Sequence, residues 1–188
     1  MSNNKRSDAA SRKALAHSQK PYAIILSCSD SRVPPEIIFD KGLGESFVVR
    51  VAGYVPDPVV MGSIEYAAEH LGSPLIMVLG HERCGAVKAT VEAKGKSTGS
   101  KNIDAIAKTI ATSSKAAAKK CEACKKDPKC AESKAAEFAE CLSDANARSI
   151  ATQLTKQSKI LKHLVKENKI KIVTAEYDLD DGLVTLLK

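Results

Sequence analysis

Apolar residues gather in short unbroken runs along this chain. Tyr22-Ala23-Ile24-Ile25-Leu26-Ser27 stops at Cys28, and Leu75-Ile76-Met77-Val78-Leu79-Gly80 stops at His81. Runs without polar alternation suit strands buried on both faces, as in a parallel sheet covered by helices. Ser46 to Val51 and Lys169 to Ala175 read as further strands. Leu183 to Leu187 reads as a short edge strand after the turn residues Tyr177-Asp178-Leu179-Asp180-Asp181-Gly182. Helical spacing lies between them. A short helix is expected over Ala9 to Ser18, a turn opened by Pro35 with Glu36 beside it, and a helix over Ser63 to His70 closed by Gly72-Ser73-Pro74. Cys84 to Lys94 and Gln153 to Glu167 are helical in the same way. Strands alternating with helices predict an α/β fold, a mostly parallel β-sheet flanked by helices.

Ile103 to Lys120 and Ala131 to Lys156 differ in being rich in alanine, lysine and glutamate, and Asp127-Pro128 separates them. They predict a helical hairpin insertion, at about residues 112–145, within a single domain spanning 1–188. A length of 188 residues suffices for one domain with a sizeable core. The net charge of +7 raises the question of nucleic acid, yet 4% aromatic residues and no Trp leave no stacking platform. A solvated lysine-rich face is the better reading. No run reaches the roughly 18 apolar residues of a membrane span, and no apolar signal-peptide stretch opens the chain. A soluble protein with neither nucleic-acid nor membrane partner is expected.

The chemistry sits where two strands end. Cys28-Ser29-Asp30-Ser31-Arg32 follows one, and His81-Glu82-Arg83-Cys84 closes the other. The carboxyl ends of strands are where open α/β sheets place their ligands, so Cys28, His81 and Cys84 can meet at one ion. Any of the three alone would read as an ordinary buried residue. Two thiolates and an imidazole together favour Zn2+, and three protein ligands leave the fourth tetrahedral position open. Such a site carries no net charge, so it acidifies its bound water less than three histidines would, and a rate that rises with pH is expected. Asp30 is placed to accept the proton of a zinc-bound hydroxide in a hydrogen bond, with Arg32 holding the carboxylate from the side.

These blocks, with Val33 and Pro35-Glu36, then Phe47-Val48-Val49-Arg50, Ser63-Ile64-Glu65-Tyr66-Ala67 and Gly80 to Gly85, resemble the β-class carbonic anhydrases in order and spacing. The resemblance runs from about Gln19 to Lys94 and resumes near Asn146, through Leu154 to Leu161 and Ile172 to Leu179. It implies reversible hydration of carbon dioxide to bicarbonate and a proton. It also implies that Gln19 donates to a substrate oxygen, that Phe47 and Tyr66 wall the cleft, and that the Gly85 amide binds bicarbonate. In the family the aspartate at Asp30 can instead become a fourth metal ligand in a closed state. A homodimer or higher homo-oligomer is implied, its subunits completing each other's sites and embraced by longer N-terminal helices than Ala9 to Ser18. One departure bears on substrate. Tyr54 stands where the family commonly has asparagine after Ala52-Gly53, and a bulky phenol that narrows the cleft would suit a carbonyl sulfide or carbon disulfide hydrolase on the same scaffold.

Cys121, Cys124, Cys130 and Cys141 lie outside the resemblance. If Asp127-Pro128 turns two straight antiparallel helices, Cys124 faces Cys130. Cys121 and Cys141 are then staggered by roughly 12 Å, beyond the reach of a disulfide, so both bonds could form only with an irregular or longer turn. Pairing of Cys121 with Cys124 and Cys130 with Cys141, free thiols, or a structural zinc site built from all four cysteines are the other readings. A non-catalytic zinc or redox protein centred on this cluster is the alternative of another class. The compartment follows the same residues: cytoplasmic with free thiols, periplasmic or secreted with disulfides.

Overall fold

The computed structural model of the chain describes residues 7–124 and 134–187. β1 (Ala23–Ser27) pairs in parallel with β2 (Ser46–Arg50) on one side and with β3 (Leu75–His81) on the other. β3 pairs in parallel with β4 (Lys171–Tyr177), and β5 (Val184–Leu186) closes the edge antiparallel to β4. The five-stranded order is β2-β1-β3-β4-β5, the mostly parallel sheet that the apolar runs predict. β4 starts later than Lys169, because the Lys169 and Ile170 amides both donate to the Leu164 carbonyl and finish the preceding helix.

Alternate strand residues face opposite ways, and the two faces are unequal. Ile24, Leu26, Ile76 and Val78 belong to the large cluster, with Ile64 and Ala67 of α3 (Pro58–Glu69), Ile150 and Leu154 of α6 (Lys134–Gln157) and Leu161 of α7 (Lys159–Lys166). Ile25, Leu79 and Ala175 form the smaller cluster behind, with Ile38, Phe39, Met77 and Val184 packed on it.

Helix ends follow their caps. The Asp8 carboxylate accepts the Ser11 amide at the start of α1 (Ala9–Leu15), and α2 (Pro35–Ile38) opens on proline. α3 begins well ahead of Ser63. The Asp57 carboxylate accepts the Val60 amide and Pro58 takes the first helical position, a start signal that apolar spacing does not register. α4 is Gly85–Ala93 and α5 is Lys101–Cys124. The helix expected over Gln153 to Glu167 is two helices, because the Ser158 side chain caps the Leu161 amide and starts α7 anew.

α5 packs along α6, and α6 in turn covers β3 and β4. Cys121 and Cys141 are joined by a disulfide, with 5.7 Å between their Cα atoms. This corrects the stagger expected for a hairpin turned at Asp127-Pro128. The register of α6 is set by its packing on the sheet, and α5 continues through Cys124. The bond excludes the pairing of Cys121 with Cys124 and of Cys130 with Cys141, and with them a zinc site that uses all four cysteines. Cys130 and the Cys124 side chain lie outside the described residues.

Candidate metal centre

Cys28 follows the last residue of β1, His81 is the last residue of β3, and Cys84 is the N-cap of α4. Parallel pairing of β1 with β3 puts these ends side by side. One ligand atom from each of the three lies within 4.8 Å of the other two, and all three residues are buried.

The histidine ring is oriented for a cation. Nδ1 lies 2.8 Å from the Glu82 carbonyl oxygen, which can only accept, so Nδ1 carries the proton and Nε2 keeps its lone pair. That Nε2 is buried without a hydrogen-bond partner. Buried polar atoms are seldom left so, and a metal between Nε2 and the two sulfurs would satisfy it. The thiols agree. A hydrogen bond from Cys84 first, with the Gly53 and Asp30 amides, outweighs burial and holds Cys28 well below the usual thiol range. Its hydrogen bond to Cys28, then burial and the Cys28 charge, push Cys84 up, against the Val87 and Ala86 amides that open α4. One thiolate forms readily and suppresses the second, and a dication lets both ionise. Two thiolates and an imidazole form a donor set suited to a thiophilic metal ion.

The backbone around the ligands is pinned by side chains to which sequence reading assigned no role. Arg50, at the end of β2, donates Nε to the Cys28 carbonyl at 2.9 Å and Nη2 to the Asp30 carbonyl at 2.6 Å. Glu82 accepts the Leu179 amide, and Arg83 donates to both Asp180 carboxylate oxygens at 2.8 and 3.1 Å. Arg83 adopts a left-handed φ of 49°, so these bonds hold the His81 to Cys84 turn in a shape few side chains favour. Glu82, Asp178 and Asp180 also approach one another, with Arg83 paired to Glu82 and Asp180. The signal for Arg50 and Arg83 was their place at strand ends beside the ligands.

Gly53 has φ 65°, and its amide donates to Cys28 Sγ at 3.4 Å. An added Cβ would press on the Ile110 side chain and on Ala86. Gly53→Ala is expected to lose about 1–2 kcal/mol through the left-handed φ alone, read as a lowered urea midpoint with unchanged slope.

Asp30 is held by Arg32 in a bidentate pair, Nε to Oδ1 at 2.9 Å and Nη2 to Oδ2 at 2.8 Å, and Arg32 Nη2 also reaches the Arg83 carbonyl at 3.1 Å. The guanidinium keeps the Asp30 carboxyl far below the usual carboxylate range. Both carboxylate oxygens are thus engaged by Arg32, and Asp30 is not among the three grouped ligands. Gly85 is the first residue of α4, with open space where a Cβ would stand.

Gln19, Phe47 and Tyr66 form a separate group. Gln19 and Tyr66 line one shallow groove with His17, Leu43 and His70, and the Phe47 and Tyr66 rings lie 6.4 Å apart. Phe47 is paired with Ile24, at the opposite end of β1 from Cys28, about 13 Å away along the strand. Within one chain these residues do not reach the metal ligands.

Tyr54 corrects an expectation. Its side chain is wholly buried, and its hydroxyl donates to the Ser143 carbonyl at 3.1 Å. It points to α6 rather than into an entrance, which removes the reason for preferring the sulfur-containing gases. Beside it Glu176 Oε2 is buried without a partner. Burial first, then Asp144, push that carboxyl up to about 9. Gly80 leaves the room, since a Cβ there would collide with Glu176 Oε2.

A carbonic anhydrase family model matches residues 23–184. Carbonic anhydrase 2 of Mycobacterium tuberculosis is 61% identical over 82 residues, 44% of this chain and 40% of that protein. The carbonic anhydrase of Mycolicibacterium smegmatis is 58% identical over 82 residues, with the same 44% and 40% coverage. The chain thus matches about two fifths of the length of these curated relatives. The β-carbonic anhydrase CafA of Aspergillus fumigatus superposes with a TM-score of 0.80 at 22% identity, over 94% of this chain and 79% of that one. The Coccomyxa β-carbonic anhydrase, solved in complex with acetazolamide, gives 0.74 at 25% identity over 93% and 75%. With a family match running from the first strand to the last and a donor set that fits the family's chemistry, the chain belongs to the carbonic anhydrase family and has the fold of its β class.

Proposed function

We propose that the chain is a zinc-dependent carbonic anhydrase that converts carbon dioxide and water reversibly to bicarbonate and a proton. The observation that carries this is the orphaned His81 Nε2, buried and turned toward the sulfurs of Cys28 and Cys84 at two adjacent strand ends. Cys28, His81 and Cys84 would hold the zinc, which would acidify a water so that hydration strengthens as pH rises above neutral. The protein's part is to hold and orient. Asp30, kept ionised by Arg32, accepts a hydrogen bond from the attacking water and aims its lone pair. The Gly85 amide, one of the unpaired donors at a helix start, receives a bicarbonate oxygen. We read Asp30 as the water-orienting residue in this arrangement, not as a fourth ligand.

Gln19, Phe47 and Tyr66 would serve the site of a neighbouring copy. Tyr66 is 49% exposed, and Val59 and Ile37 are each 77% exposed, a surface that a homo-oligomer would cover. The Sordaria macrospora β-carbonic anhydrases, with a TM-score of 0.79 at 21% identity over 93% of this chain and 84% of that one, are described as tetrameric. The disulfide favours an oxidising compartment, periplasmic or secreted. No helix among the described residues is long and apolar enough to cross a membrane.

The test is stopped-flow hydration at pH 7 and pH 8.5 on protein whose zinc has been counted by elemental analysis, with carbonyl sulfide and carbon disulfide assayed on the same preparation. One zinc per chain and carbon dioxide hydration that rises with pH are expected. Zinc without hydration at either pH would overturn the assignment.

A further inference from the structure

α6 reaches the metal centre twice. Ser143 and Asn146, one helical turn apart, are both buried at 1% and 0% exposure. The Ser143 hydroxyl donates to the His81 carbonyl at 3.1 Å, and Asn146 Nδ2 donates to the Gly53 carbonyl at 3.3 Å. His81 is a ligand, and Gly53 is the residue whose amide donates to Cys28 Sγ. Tyr54 ties the same helix down by donating to the Ser143 carbonyl. α5 joins in through Ile110, which fills the space over Gly53.

At this end α6 is held by core packing through Phe138 and Leu142 and by a covalent link to α5. The Cys121–Cys141 disulfide crosses from α5 to α6, two positions before Ser143. Cys121 is wholly buried in the main core, near Phe138 and Leu142 in the same cluster.

We propose that the α5–α6 pair is a positioning arm for the metal centre and that the Cys121–Cys141 disulfide sets it. With the bond made, Ser143 and Asn146 hold the His81 and Gly53 carbonyls in register and the centre keeps its metal. With the bond broken, the arm loosens and the metal leaves faster, so the centre matures only where disulfides form. This rests on the zinc reading above. Reduction by a phosphine balances simply: the Sγ–Sγ bond breaks, the phosphine gives two electrons and takes oxygen from water, and each sulfur leaves with one of the water's protons as a thiol.

The experiment measures zinc release from the zinc-loaded full chain to a chromogenic chelator, before and after phosphine treatment, with free thiols counted. Outer-sphere partners of a metal are worth about 10–100-fold in affinity, and release about tenfold faster after reduction is expected. Cys121→Ser with Cys141→Ser should release fast from the start and ignore the phosphine, while keeping Cys124 and Cys130 as internal controls. Ser143→Ala should release fast without reductant, and Ser143→Thr should restore slow release. Phe39→Ala, in the smaller cluster on the other face of the sheet, should melt lower yet release slowly. Equal release from oxidised and reduced protein, or equally fast release from Phe39→Ala, would overturn the arm while leaving the zinc reading intact. A chain that takes up no zinc in either redox form would defeat both.

Discussion

Cys28→Ser is expected to take the chain from one zinc to none and to abolish hydration in the same step. A serine hydroxyl is a harder donor and stays protonated where a thiol ionises, so the substitution removes a ligand while nearly preserving volume. Losing merely an outer-sphere partner costs up to about 100-fold in metal affinity or activity, and losing one of three ligands costs more. The fold should survive, because Gly53 keeps an acceptor for its amide and the strand behind Cys28 is held by apolar packing. Elemental analysis, hydration rate and a thermal melt on one preparation read all three. Retained zinc with retained rate would remove Cys28 from the centre.

Asp30→Asn is expected to separate the two properties: zinc stays near one per chain, and kcat falls by about 10²–10⁴, the range for a positioned proton-handling group. Asparagine keeps the size of aspartate but loses the charge that Arg32 grips and one of the two acceptors it grips with. Stability should barely change. Arg32 is about half exposed, and ion pairs of that kind contribute about 0–1 kcal/mol. Full activity in Asp30→Asn would remove its orienting role; lost zinc would instead make it part of the metal's hold.

The main elements were legible because their causes are local. Unbroken apolar runs specified β1 and β3, and cysteine and histidine at their ends marked a candidate metal site, since few other reasons put those donors where a buried strand stops. The α3 start at Asp57-Pro58 was equally local, in capping residues rather than in apolar spacing.

What remained hidden depends on which parts of the chain meet. Arg50 reaches across to the Cys28 and Asp30 carbonyls, Arg83 to Asp180, and Tyr54 to Ser143, and their separations of 20 to 97 residues carry no periodic signature. The cysteine pairing shows the limit. Asp127-Pro128 marks a turn, but the register of two alanine-rich helices is weakly written in their own small side chains, and contact with the sheet decides it for α6. By itself the sequence determined the sheet, the three candidate ligands and the likeness to a family, because those follow from local pattern and residue chemistry. The tertiary structure alone decided that Tyr54 faces inward, that Gln19, Phe47 and Tyr66 lie apart from the ligands of their own chain, and that Cys121 bonds Cys141, because each is an outcome of long-range packing.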